Sequence, residues 1–272
     1  MTTMIRTKAT VSFFVLAIAI SGSGSGCARK SENTITLAGS TAFQPFAEKL
    51  AEQYLETHTD VRVNVQGGGS AVGVQAALAG SAQIGMADLL TLPEEAKTLT
   101  PTVVARDGIA LVVHPKNALA ELSATQARSV FTGEINNWKD LGGADAPIRI
   151  ISREEGSGTR RSFQELVLGD SKLSPNALFQ NSNGTIREAV ASNPDAIGYL
   201  SIGLVNDRVK SISYAGVVAS NENVKNGTYP LARPIFLLTK GEQSPMVREF
   251  IDFVMADASQ RVLEKEGLIP AK

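Results

Sequence analysis

The chain has 272 residues, 43% hydrophobic and 19% charged, an ordinary globular composition with enough length for one large domain or two small ones. Lys plus Arg number 26 against 27 Asp plus Glu, so there is no basic excess to neutralise a nucleic-acid backbone. A single Cys and two His exclude a disulfide framework, a multi-cysteine metal site and a His-rich zinc site, and no cofactor is expected.

Residues 1–26 read as an export signal. Arg6 and Lys8 give a positive start, and Val11 to Ile20 is apolar except at Ser12, too short to span a bilayer as an ordinary helix. Ser25 and Gly26 then precede Cys27 as they would a lipoprotein cysteine, although Gly24 stands where the usual Leu would be. The expectation is lipid on Cys27, a tether over 27–33, and an extracytoplasmic body in the periplasm or at the cell surface. The alternative is a plain secretory signal with a leftover thiol.

From Thr34 onward strands and helices alternate, which predicts an α/β fold. Thr34–Leu37 reads as a strand, followed by a helix over 42–56 whose Phe46, Leu50, Tyr54 and Leu55 share a face. Val61–Val65 alternates as a strand, and Gly67–Gly69 leads to a helix over 71–78. Ile84–Met86 is a third strand, and Val103–Val113 is apolar except for a break at 105–108. Ser123 caps a helix to Val130; Ile148–Ile151 is a strand and Arg160–Leu168 a helix. A helix over 185–191 and strands at 197–200, 209–214 and 235–238 follow. Ser244-Pro245 opens a helix, and a last one covers 259–266. Trp138 is expected to pack, and His58, among polar residues, to be solvated.

Three strand-to-helix turns carry Gly beside hydroxyl residues: Gly39-Ser40-Thr41, Gly67-Gly68-Gly69-Ser70 and Gly156-Ser157-Gly158-Thr159. Free N–H groups and the positive end of the helix dipole suit an anion there, and one such turn alone is only a capped helix. Arg153 supplies a cation able to meet two oxygens at once; its alternative is a pair with Glu154 or Glu155. Other chemistries fail on spacing. Val74 follows Gly73 where a nucleoside-phosphate loop needs Lys, and Val72 replaces the third Gly of a dinucleotide turn. Glu155 precedes Gly156-Ser157-Gly158, so no nucleophile elbow forms, and neither His58 nor His114 lies in a motif.

Together with Ile84-Gly85-Met86-Ala87-Asp88, Val130 to Trp138, Ser152 to Arg160, Ala196 to Tyr199 and Tyr229 to Pro234, these turns resemble the extracytoplasmic phosphate-binding proteins of ABC-type phosphate importers over nearly the whole mature chain. The resemblance implies a two-lobed periplasmic-binding-protein-like fold of type II, with two mixed sheets flanked by helices and hinge strands between the lobes. One lobe would comprise 34–112 with 234–272, the other 113–233. Phosphate would be held by Ser40, Thr41, Ser70, Asp88, Arg153, Ser157, Gly158 and Thr159, and a monomer would deliver it to a membrane permease. Ala87 and Leu89 flank Asp88 where the family often supplies further hydroxyl or Arg contacts.

Asp88 beside an anion has a physical reading. Phosphate keeps a proton at neutral pH and can donate it to a carboxylate, which only accepts. Sulfate has no proton, and a site built around such a bond rejects the analogue lacking it by about 10⁴–10⁵. Phosphate is therefore expected over sulfate. The alternatives are another tetrahedral oxyanion such as sulfate or molybdate, a phosphate sensor or adhesion protein, and an extracytoplasmic hydrolase using Ser70 or Ser157.

Overall fold

The computed structural model describes residues 33–271; residues 1–26, with Cys27 and nearly all of the tether, lie outside the described residues. The first lobe begins with three parallel strands, β1 (Thr34–Gly39), β2 (Arg62–Gln66) and β3 (Ile84–Ala87), ordered β2-β1-β3. Helices α1 (Gln44–Leu55) and α2 (Ser70–Ala79) make the crossovers. The third strand leads through a 3₁₀ turn at Glu94–Thr98 into β4 (Leu99–Val113), one continuous strand across the break that the sequence shows at 105–108.

The second lobe contains β5 (Glu121–Leu122), α3 (Ala124–Thr132), β6 (Arg149–Arg153), α4 (Gly158–Phe163), β7 (Leu178–Gln180), α5 (Asn183–Ala191), β8 (Ala196–Ser201), β9 (Lys210–Tyr214) and α6 (Asn221–Lys225). The chain then returns through β10 (Ala232–Lys240) to α7 (Pro245–Met255), α8 (Asp257–Glu266) and β11 (Ile269–Pro270). β4 joins the two lobes by changing partners along its length. Leu99–Gly108 runs antiparallel to β10, whereas Ile109–Val113 lies between β8 and β9. The full path is β2-β1-β3-β10-β4-β8-β6-β7, a curled mixed sheet with helices on its faces.

Each lobe has its own core, because each half of the sheet must cover its apolar face. Ile35, Leu37, Phe46, Leu50, Tyr54, Ile84, Met86, Leu237 and Phe250 cluster in the first. Leu111, Val130, Phe131, Trp138, Phe163, Ile197 and Tyr199 cluster in the second, where the Phe163 and Tyr199 rings stack at 4.0 Å. Trp138 is buried and its indole N–H donates to the Asp195 carbonyl, so it packs as expected. Among the described residues no helix is long and apolar enough to cross a membrane.

Several elements depart from the sequence reading. The expected helix over 160–168 begins two residues earlier and widens into a π turn at Gln164–Leu168. α5 starts at Asn183 because Ser182 caps it, accepting from the Thr185 N–H while the Thr185 hydroxyl answers the Ser182 N–H. β5, β7 and α6 are too short to show periodicity. His58 is only partly solvated: its side chain is 26% exposed, its ring stacks on Tyr54 at 3.8 Å, and its nitrogens meet the Tyr54 carbonyl and Glu249.

Candidate anion-binding site

The three Gly-hydroxyl turns and Asp88 come together where the lobes meet. β1 stops at Gly39, where a Cβ would stand 2.2 Å from the Met86 carbonyl oxygen, so only Gly lets β1 and β3 approach this closely. The chain turns there, and the Ser40 N–H donates to Met86 O at 2.9 Å. The Ser40 hydroxyl oxygen accepts from the N–H groups of Ala42 and Phe43, both at 3.2 Å, which settles the entry to α1. At the second turn α2 begins with Ser70, whose hydroxyl donates to Asp88 Oδ1 at 2.8 Å and accepts from the Asp88 N–H at 3.0 Å.

The second lobe supplies α4. Its first residue, Gly158, lies so close that a Cβ would be 2.1 Å from Ser70 Oγ and 2.6 Å from the Asp88 carbonyl oxygen. Thr159 donates its hydroxyl to Asp88 Oδ2 at 2.8 Å, and Ser162 donates to the Asp88 carbonyl at 3.3 Å. The Ala71 N–H donates to Gly156 O at 3.1 Å. Two helix starts, α2 and α4, thus approach one another around a single carboxylate.

Asp88 is 1% exposed. Burial pushes its carboxyl pKa up, but the Arg233 guanidinium and the hydroxyls of Ser40, Thr159 and Ser70 outweigh this and hold it below the ordinary Asp value. Asp88 is therefore ionised at neutral pH. The hydroxyls around it turn freely about their Cβ–O bonds, so each can donate to this carboxylate or to another oxyanion placed beside it.

The remaining expected residues sit around this cluster in different ways. Arg153 is buried at the end of β6, and its Nε and Nη2 grip the Glu154 carboxylate at 2.9 and 2.8 Å. Nε also reaches Gln180 O at 3.2 Å, while Nη1 has no hydrogen-bond partner. The pairing with Glu154 is thus present, in a buried side chain and not a surface one. Thr41 accepts from Asn183 Nδ2 at 3.2 Å, across the lobes. Ser157 is the N-cap of α4: its hydroxyl oxygen accepts from the Arg160 N–H at 3.2 Å.

Besides Ser162, four buried polar residues at the site went unassigned in the sequence. Arg233 donates from Nε to Asp88 Oδ2 at 3.0 Å and from Nη2 to Thr159 Oγ1 at 3.2 Å. Asp107 lies 3.0 Å from Arg233 Nη2 and accepts from the Ser201 hydroxyl at 2.8 Å. Asn183 accepts from the Ser201 N–H at 3.1 Å. Burial drives the Asp107 pKa up; Arg233 and the Ser201 hydroxyl oppose it, nearby Asp88 adds to it, and the result is about 6. The one available signal was a charged residue inside an apolar strand: Asp107 in the break of β4 and Arg233 at the start of β10.

Residues 21–258 match the PBP superfamily domain. The chain is 34% identical to the phosphate-binding protein PstS of Bacillus subtilis over 246 residues, covering 89% of this chain and 82% of that one. The chain belongs to the PstS family of phosphate-binding proteins. A family member from Pseudomonas aeruginosa is 28% identical, over 87% of this chain and 82% of its own. Among solved structures, a Clostridium perfringens protein with bound phosphate superposes with a TM-score of 0.86 at 38% identity, over 88% of this chain and all of that one. An ABC-type phosphate transport receptor from Vibrio cholerae gives 0.72 at 35%, over 86% of this chain and 99% of that one.

Proposed function

We propose that this protein binds inorganic phosphate outside the cytoplasm, closes its two lobes around it, and delivers it to the permease of an ABC-type phosphate importer. The lobes are 34–112 with 234–272, and 113–233. The observation that carries this reading is Asp88: a buried, ionised carboxylate at the lobe interface that collects hydroxyl donors from both lobes. With phosphate beside it, the hydroxyls of Ser40, Ser70 and Thr159 turn to the ligand and Asp88 accepts the ligand's O–H. The first-turn N–H groups of α4, at Gly158 and Thr159, add uncharged donors, and Arg153 the charge-assisted one. Thr41 and Ser157 complete the enclosure.

Ligand held by donors on both lobes stabilises the closed arrangement, which gives a permease a state to recognise. The protein is a carrier, not a catalyst. Ser70 donates to a carboxylate whose pKa Arg233 holds low, a poor base for a hydroxyl, and the Ser157 oxygen is occupied as a cap, so neither is set up as an activated nucleophile. A lipid on Cys27 would hold the monomer at a membrane surface, and Cys27→Ala would then move it to the soluble fraction. Asp88→Asn tests the specificity. It should weaken phosphate binding and let sulfate compete; a variant that still ignores sulfate would remove Asp88 from the mechanism.

A further inference from the structure

The side chains around Asp88 continue into a buried ring through both lobes and both strands that cross between them. Ser70 bonds Asp88, Asp88 bonds Arg233, and Arg233 pairs with Asp107. Asp107 bonds Ser201, Ser201 bonds Asn183, and Asn183 bonds Thr41, which is next to Ser40. Every member is at most 9% exposed. Arg233 and Asp107 face each other in register on β10 and β4.

Arg233 repeats the arrangement of Arg153. In each, Nε and Nη2 are tied to a protein carboxylate, Glu154 for Arg153 and Asp88 for Arg233. In each, Nη1 is buried without a hydrogen-bond partner. A buried donor left without a partner is costly, and a guanidinium never loses its charge to relieve the cost. Arg233 Nη2 also lies 3.2 Å from Thr159 Oγ1, at the start of α4, where the phosphate reading places the ligand. A single carboxylate would balance the charge of Arg233. The second, Asp107, approaches from the opposing strand, its Oδ2 3.0 Å from Nη2 as an ion pair without a hydrogen bond.

We propose that Arg233 is a second anion-binding guanidinium of this site, and that Asp107 is the positioning residue that aims it. The proposal rests on the phosphate reading and names a residue outside the ligand set which that reading uses.

The test is nuclear magnetic resonance on the mature chain with ¹⁵N-labelled arginine, with the Arg153 and Arg233 side-chain signals assigned from Arg153→Lys and Arg233→Lys. Phosphate is added, and through-space correlations are recorded between its ³¹P nucleus and the Nη protons. Correlations to both arginines are expected, and Asp107→Asn should weaken the one at Arg233 while leaving that at Arg153. Arg233→Lys should lower phosphate affinity by roughly 10- to 100-fold, the range for a lost hydrogen bond to a charged group. Binding heat with a correlation at Arg153 alone would make Arg233 a structural ion pair and overturn the proposal, leaving the phosphate reading intact. An Asp107→Asn variant with an unchanged Arg233 correlation would remove Asp107 from its positioning role. Absence of binding heat from wild type would bring down both readings.

Discussion

Gly158→Ala separates close approach of the lobes from donor chemistry, because it removes no hydrogen-bonding group. The added methyl would stand 2.6 Å from the Asp88 carbonyl oxygen, where ordinary contact begins at 3.4 Å, so α4 must withdraw from β3 by roughly 0.8 Å. Ser70 Oγ, at 2.1 Å, can turn away, but the backbone oxygen of Asp88 cannot. Forcing one extra carbon into a packed contact costs about 1–3 kcal/mol. If that cost falls on the closed arrangement, it weakens phosphate binding by roughly 5- to 150-fold at 1.4 kcal/mol per tenfold. The assay is calorimetric titration with phosphate, with thermal unfolding in its absence as a control. The unliganded midpoint should move little, since each lobe keeps its own core. Affinity within threefold of wild type would refute the claim that α4 and Asp88 must meet for the ligand to be held.

Two further substitutions probe the ring. The folded-state pKa of Asp107 is raised to about 6, so between the unfolded Asp value and 6 the folded state binds the extra proton and stability falls as pH rises. Wild type should therefore lose on the order of 1 kcal/mol relative to Asp107→Asn between pH 5 and pH 8, measured by urea unfolding at both; a pH-independent difference would contradict the assignment. Asn183→Ala removes the side-chain acceptor of the buried Ser201 N–H and the donor to the Thr41 hydroxyl, and should cost about 1–3 kcal/mol in unfolding free energy. A loss below 0.5 kcal/mol (a rough threshold for an ordinary surface change) would show that the ring is not a stabilising connection.

The three turns could be read in the sequence because everything that makes them is local: Gly where backbones touch, a hydroxyl next to it, and an apolar run on either side. Ser40, Ser70 and Thr159 all reach Asp88 in the folded chain for that reason. Arg233 and Asp107 could not be read in the same way. Their pairing is created by the antiparallel register of β10 on β4, and register between strands so far apart in the chain has no local signature. The break at 105–108 was visible, but composition reads it as a weak point in an apolar stretch. In the structure the strand continues through it, with a register shift against Ile235 and Phe236 at its edge, because the Asp107 side chain has a buried cation and a hydroxyl waiting for it. His58 shows the same limit on a smaller scale. Polar neighbours in sequence predict solvent, whereas one helical turn back lies Tyr54, on whose ring it stacks.

The central claim is that the converging turns hold phosphate and select it by its proton. The most direct measurement is calorimetric titration of the chain without residues 1–26, unfolded and refolded to strip any bound anion, with phosphate added in the presence and absence of excess sulfate. One phosphate per chain is expected, with affinity that sulfate does not reduce. Absence of phosphate binding, or equal displacement by sulfate, would contradict it and leave the three turns as capped helices around a structural carboxylate.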